Sequence, residues 1–272
     1  YEDTTKALIA ELSLILVVVS SLVIVRRKLP YEAWYYVHLL TYIAIVFSFG
    51  HQVHNGLHLL SNEWFHAYWY GLFALSAILF VLFRFIRPFW HWQRHRFRVT
   101  RIVEEANGVR SIYIGGKNIQ AFSYTAGQFG KFWFVAKGFW LEDHPFTISI
   151  EPGGEELRIT PKELGDFTTR LKELPVGTPV VIDGPYGRFT ADVATTKKLV
   201  MIAGGIGITP MRAMLGALAD AKDTREIILY YSVKSPAEFV FTDEIKTLQK
   251  DLKLTIYRHV TEGAERGMRH DL

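Results

Sequence analysis

The sequence predicts a multi-domain membrane protein: transmembrane α-helices, then an antiparallel β-barrel, then a truncated α/β domain on a parallel sheet. Three observations carry this. Three long apolar runs open the chain, short β-rich runs follow them, and a strand–helix alternation begins at Lys198. Each has its own hydrophobic period, and period is the main sequence signal for secondary structure.

The first apolar run, 7–25 (ALIAELSLILVVVSSLVIV), carries one charge, Glu11. The second, about 34–54, begins WYYVHLLTYIAIVFSFG and has no charge there. The third, 67–86 (AYWYGLFALSAILFVLFRFI), carries only Arg84, near its end. Each approaches the ~20 residues that cross a hydrocarbon core. A buried helix of a soluble protein resembles any one of them. Three in succession, flanked by charge clusters and Trp or Tyr, fit membrane spans better. Residues 1–92 are therefore expected to form a transmembrane helical region. Arg26, Arg27 and Lys28 end the first span, Arg87, Arg94, Arg96, Arg98 and Arg101 follow the third, and 52–66 holds no Lys or Arg. By the positive-inside rule, the first loop and everything after residue 87 face the cytoplasm. The expected setting is the cell (inner) membrane, crossed several times. The net charge of +4 follows largely from these clusters. No recognisable nucleic-acid module accompanies the basic run, so no nucleic-acid partner is expected. The absence of cysteine excludes disulfides, thiolate iron–sulfur clusters and a cysteine nucleophile within these residues. Tyr1 is not an initiator, and the chain stops inside what reads as an α/β domain, so a fragment cut at both ends is expected.

Short runs at 97–105, 109–115, 130–136, 146–151, 156–160 and 179–184 are separated by Gly, Pro and Asn. This spacing predicts a small antiparallel barrel over 95–194. From 195 to 272 the rhythm changes: strand KLVMIA, helix 209–221, strand 226–233, helix 236–251, strand 252–260. Strands alternating with helices predict parallel βαβ units.

Gly204-Gly205-Ile206-Gly207-Ile208-Thr209-Pro210 follows an apolar strand and opens a helix. Thr209 is expected to cap that helix, with Pro210 at its first position. Glycines there let backbone N–H groups approach a pyrophosphate drawn to a helix N-terminus; the alternative is a tight packing turn. The spacing is not G-x-G-x-x-G. Ser232 and Lys234 lie at the end of the next strand, the ligand side of such a sheet, where a lysine can meet a 2′-phosphate. Upstream, Lys162 and Gly165-Asp166-Phe167-Thr168 form a second candidate anion site, or an ordinary cap. His144-Pro145-Phe146-Thr147, with Ser149 beyond, offers an imidazole, an aromatic face and two hydroxyls.

The order Ala126-Gly127-Gln128-Phe129, His144-Pro145-Phe146-Thr147, Lys162-x-x-Gly165-Asp166-Phe167-Thr168, Gly184-Pro185-Tyr186-Gly187 and Gly204 to Pro210 resembles the ferredoxin-NADP reductase-like superfamily. With Tyr31-Glu32-Ala33-Trp34, His38 and His51 in front, the chain is similar to the NADPH oxidase and ferric reductase family, in a bacterial form. The resemblance implies that His144, Pro145, Phe146 and Thr147 contact FAD, with Ser149 close by, while Lys162, Gly165, Asp166, Phe167 and Thr168 hold its pyrophosphate. It implies that Gly204, Gly205, Ile206, Gly207, Ile208, Thr209 and Pro210 cradle the NADPH phosphates, and that Ser232 and Lys234 meet its 2′-phosphate. It implies that His38 and His51 each give one axial ligand to one of two b haems. Family members have six core spans, and the three here resemble the last three. The partner histidines belong to a span absent from this chain, as is the cysteine–glycine motif of the last nicotinamide-site strand.

The histidines also bear weight on their own. An ionisable group at bilayer depth is costly and usually functional, and imidazole binds iron. His38 and His51 are 13 residues apart, roughly 19–20 Å along a helix and about 140° around it. A π-bulge near Gly50, or different approach angles, would reconcile that offset with two haems. His51, His54 and His58 share one face, and the residues alone do not choose among them. His66, His91 and His95 read as membrane-boundary residues.

The expected activity is electron transfer from NADPH through FAD and haem to an outer acceptor: dioxygen, giving superoxide, or else ferric iron. A haem-free, membrane-anchored flavin reductase feeding a separate carrier is the alternative from another class. A non-enzymatic fragment that binds FAD poorly is a third.

Overall fold

A computed structural model describes residues 2–29, 31–55, 62–140, 142–262 and 269–270. It forms two units, Tyr1–Phe80 and Val81–Leu272.

In the first unit, α1 (Glu2–Ser21) and α3 (Tyr31–Asn55) pack antiparallel, with a short α2 (Val23–Arg26) between them. Ser21 meets His38 at one end, and a Cβ on Gly50 would touch Lys6 at the other. Helix α4 (Glu63–Val81) packs on α3 through the ring pairs Phe49–Phe73 and Tyr42–Phe80. No residue of α4 is buried, and Val18 and Val46 point outward 61% and 68% exposed. Such surface suits hydrocarbon. Three helices, Thr4–Ser21, Ala33–Val53 and Glu63–His95, are long and apolar enough to cross a membrane. Ser13, Ser20, Ser21 and Ser76 all turn their hydroxyls back to carbonyls of their own helix, which satisfies them without water.

Two span boundaries differ from expectation. The first helix breaks at Leu22, which takes an extended conformation (ψ 136°) just after Ser20 and Ser21 both bond the Val17 carbonyl. The third continues past α4 as a π-turn (Leu82–Ile86) into α5 (Arg87–His95). Pro88 cannot donate to the carbonyl four residues back, at Arg84, and the helix widens over that turn. Helix α3 stays α-helical through Gly50, so the only π-turn among the described residues lies outside the span where one was expected.

The second unit holds two lobes. In the first, β1 (Arg98–Ala106), β2 (Val109–Gly115) and β5 (Leu157–Ile159) form one antiparallel sheet, in that order. A second antiparallel sheet has the order β4 (Asp143–Thr147), β3 (Phe129–Phe134), β6 (Val180–Tyr186). Single bridges, Arg98↔Pro179 and Ile148↔Ile159, tie them. The barrel is thus two joined half-sheets rather than one closed ladder. Ile112, Ile114, Phe132, Phe134, Ile148 and Ile182 fill the space between. His95, at the end of α5, is buried against Phe97 and bonds the Lys117 carbonyl at 3.1 Å. Helix α6 (Asp166–Arg170) precedes β6.

In the second lobe β7 (Lys198–Gly204), β8 (Glu226–Val233) and β9 (Lys253–Val260) run parallel, and β10 (Arg269–His270) adds antiparallel to β9. Helix α7 (Ile208–Asp220) and helix α8 (Thr242–Leu248) supply Met211, Leu215, Leu218 and Ile245 to a core with Ile227, Leu229 and Tyr231. The helix expected over 236–251 begins only at Thr242. Phe241 adopts a left-handed conformation (φ 60°), which no helix continues through, and the Val240 N–H donates to the Tyr231 hydroxyl instead.

Candidate functional site

Strand β4 and helix α6 bring the first two motifs together. The His144 ring stacks on Phe167 with centroids 3.7 Å apart, and Phe146 lies 6.4 Å from the same ring. The Glu142 carboxylate lies 3.1 Å from both His144 Nε2 and Arg170 Nη2. Burial alone would raise the Glu142 carboxyl, but hydrogen bonds from His144 and Arg170 hold it below the usual range. Thr147 pairs with Phe129 across the sheet, and Pro145 is exposed. Ser149 is fully buried; its hydroxyl bonds the Arg158 carbonyl at 3.1 Å and Thr160 Oγ1 at 2.8 Å. That hydroxyl belongs to the barrel interior.

The turn before α6 closes on itself. Thr168 Oγ1 accepts the N–H groups of Leu164 (3.0 Å) and Gly165 (3.1 Å) and donates to the Gly165 carbonyl. Asp166 is exposed and Phe167 buried. Lys162 reaches across to the other lobe and pairs with Glu238 at 2.6 Å.

The glycine turn between β7 and α7 is different. Gly205 takes a left-handed conformation (φ 50°). A Cβ built on Gly204, Gly205 or Gly207 would meet no protein atom within 4 Å. Packing therefore does not require Gly204 or Gly207, whereas close approach of a ligand to the backbone would; Gly205 is already favoured by its left-handed backbone. Ile206 is half-buried and Ile208 buried. The helix begins at Ile208, with Gly207 at the N-cap and no side-chain cap. Thr209 donates to the Ile206 carbonyl (3.0 Å) rather than capping, and Pro210 stands at the third helical position rather than the first. The cause is the 3₁₀ turn Gly205–Gly207, which leads directly into the helix.

Gly204, Ser232 and His259 align across the C-terminal ends of β7, β8 and β9. The Ser232 hydroxyl lies 3.2 Å from His259 Nδ1. Lys234 is exposed just beyond β8. His259 escaped sequence reasoning; its only signal was its place at the end of the third parallel strand. Equally unforeseen is a charged cluster joining the lobes, Arg158, Glu244, Arg212 and Glu151.

In the helical unit, His38 Nδ1 lies 2.8 Å from the Trp34 carbonyl. A carbonyl only accepts, so Nδ1 carries a proton, the second contact by which a metal-bound imidazole is commonly oriented. Ser21 Oγ lies 3.0 Å from Nε2. His51 borders an apolar groove of about 440 Å³ lined by Ala7, Ala10, Leu14, Val18 and others. Both imidazoles therefore border α1 despite their angular offset. The side chain of His54 and the whole of His58 lie outside the described residues.

Residues 2–49 match the family described as ferric reductase like transmembrane component, 110–190 an FAD-binding domain and 201–270 an oxidoreductase NAD-binding domain. The chain is similar to respiratory burst oxidase homolog protein B of Arabidopsis thaliana, 26% identical, covering 70% of this chain and 25% of that protein. It is also similar to ferric reduction oxidase 7, chloroplastic, of the same plant, 26% identical over 88% of this chain and 34% of that protein. In fold it resembles the FAD/NAD-binding domain of nitric oxide dioxygenase from Vibrio cholerae, with TM-score 0.54, 24% identity, and 65% and 78% of the two chains covered. The chain thus spans about a quarter to a third of these two curated relatives.

Proposed function

We propose that the chain is a membrane oxidoreductase of the ferric reductase and NADPH oxidase family, a reading that the three matched segments and both plant relatives support, and that it moves electrons outward from NADPH, through FAD and two b haems, to dioxygen, forming superoxide. The observation that carries this is the glycine turn at 204–207, whose missing side chains leave open space at the C-terminal edge of a parallel sheet. Bound FAD would accept a hydride from the nicotinamide and release electrons one at a time to haem, chemistry that belongs to the cofactors. The chain binds and orients. Uncapped N–H groups at the start of α7 hold phosphate, aided by the helix dipole. Lys234 meets the 2′-phosphate, with Ser232 beside it. His144, Pro145, Phe146 and Thr147 border the flavin, with Ser149 supporting the strand from inside. Lys162, Gly165, Asp166, Phe167 and Thr168 hold its pyrophosphate, Lys162 leaving Glu238 to do so. His38 and His51 would each supply one ligand to a haem iron, with their partners coming from another span. The nucleotide and flavin lobes lie on the cytoplasmic side of the cell membrane.

Ferric iron as acceptor is the second reading, favoured by the family matched over 2–49. The test is the full-length protein in membranes, assayed with NADPH for superoxide and for ferrous iron. A Soret band that shifts on NADPH addition, and its partial loss in His38→Ala with dye reduction retained, is the expected result. Flavin absorbance without porphyrin would reduce the protein to an anchored flavin reductase.

A further inference from the structure

Four charged side chains lie in the seam between the barrel and the nucleotide lobe. Arg158, on β5, is 2% exposed and grips both oxygens of Glu244, on α8, at 2.7 and 3.1 Å. Its Nη2 also donates to the Ser149 carbonyl at 2.8 Å. Glu244 accepts a second guanidinium, Arg212 Nε on α7, at 2.5 Å. Arg212 returns to the barrel by pairing with Glu151. The Glu151 carbonyl is itself held by the Tyr124 hydroxyl at 2.7 Å. Gly216 leaves room for this return, because any Cβ there would strike the Glu151 carboxylate.

Taking such charges out of water costs several kcal/mol per ion, and apolar residues often stabilise a seam at least as well. What a bidentate guanidinium–carboxylate fork adds is fixed geometry. Here the fork joins two particular places. Ser149 lies two residues beyond Thr147, on the segment that borders the flavin. Helix α7 rises directly from the glycine turn that holds the nicotinamide nucleotide. We infer that Arg158, Glu244, Arg212 and Glu151 form a clasp that sets the flavin–nicotinamide distance, with Glu244 as its central positioning residue. The clasp rests on the NADPH-to-FAD reading. Hydride transfer requires reacting atoms about 3–3.5 Å apart, and an error of about 1 Å costs roughly 100-fold.

The experiment uses the full-length, FAD-loaded protein and compares wild type with Glu244→Gln by stopped-flow reduction of the flavin. Expected is a fall of roughly 10- to 100-fold in the reduction rate constant, with FAD content retained and NADPH Kd nearly unchanged. Arg158→Lys should behave alike, because an ammonium cannot fork. Should Glu244→Gln fail to fold, Gly216→Ala, which displaces Glu151 from Arg212, gives the same comparison in milder form. A wild-type rate in a folded variant overturns the clasp, as does a lost rate matched by lost FAD. A wild-type protein whose flavin neither nucleotide reduces overturns the functional reading instead.

Acid gives a second readout. Burial alone would raise the Glu244 carboxyl, but Arg158 and then Arg212 hold it below its ordinary value of 4.5. The groups facing it are those two arginines, with Glu151 and the Tyr113 hydroxyl one bond further on. A depressed carboxyl stabilises the fold above its unfolded value, and that stability is lost as pH falls through the folded one. Below pH 4.5, the thermal midpoint of wild type should therefore fall more steeply than that of Glu244→Gln. Parallel curves count against a clasp.

Discussion

Two glycine-bearing turns, 162–168 and 204–210, each lead into a helix, yet they are built oppositely. In the first, Thr168 takes up the N–H groups of Leu164 and Gly165, and Lys162 is held by Glu238. In the second, no side chain caps the helix, Thr209 faces backward, and three glycines border open space. The sequences look alike as anion sites. The difference lies in whether the turn satisfies its own donors. A turn that does so is stable alone and must rearrange to take a ligand; one that does not is ready for an anion and fixed by it.

This contrast can be broken by substitution. Gly207→Val has the largest expected effect. Gly207 has an ordinary φ of −61° and open space at Cβ, so the fold should survive. NADPH-dependent flavin reduction should fall by roughly 100-fold; normal turnover would make the turn structural. Lys234→Ala should raise the NADPH KM by about 10-fold, as expected for one lost charge-assisted bond, while leaving the NADH KM nearly unchanged. Equal shifts would mean that Lys234 does not read the 2′-phosphate. Thr168→Ala is the mildest. It removes the hydroxyl that closes the first turn and should lower stability by about 1 kcal/mol, measured by thermal unfolding. An unchanged midpoint would dissolve the contrast between the two turns.

Local order was legible in sequence where periodicity and boundaries agreed. Strands 109–115 and 226–233 appear with the expected ends, and the second and third apolar runs became long helices. The reading failed where a long-range contact decided. Nothing near Phe241 announces a left-handed residue; the Tyr231 hydroxyl and the core pocket for Phe241 impose it. Lys162 and Glu238 are 76 positions apart, and Arg158 and Glu244 are 86, so no local pattern marks either pair. Ser149 is expected close to the flavin, and its hydroxyl lies inside the barrel, where Thr160 and the Arg158 carbonyl, both distant in sequence, engage it.

The π-turn at Leu82–Ile86 sets a constraint that apolar composition hides. Its extra residue is absorbed within the helix, so the phase between the helices on either side depends on chain length as well as on Pro88. Removing one residue there would change the phase between the helix before it and the helix after it by about 100°, while His95 keeps its slot beside Phe97 and Phe122, all three lying beyond the turn. Conservative replacements along this stretch should pass unnoticed, while a single-codon deletion should not.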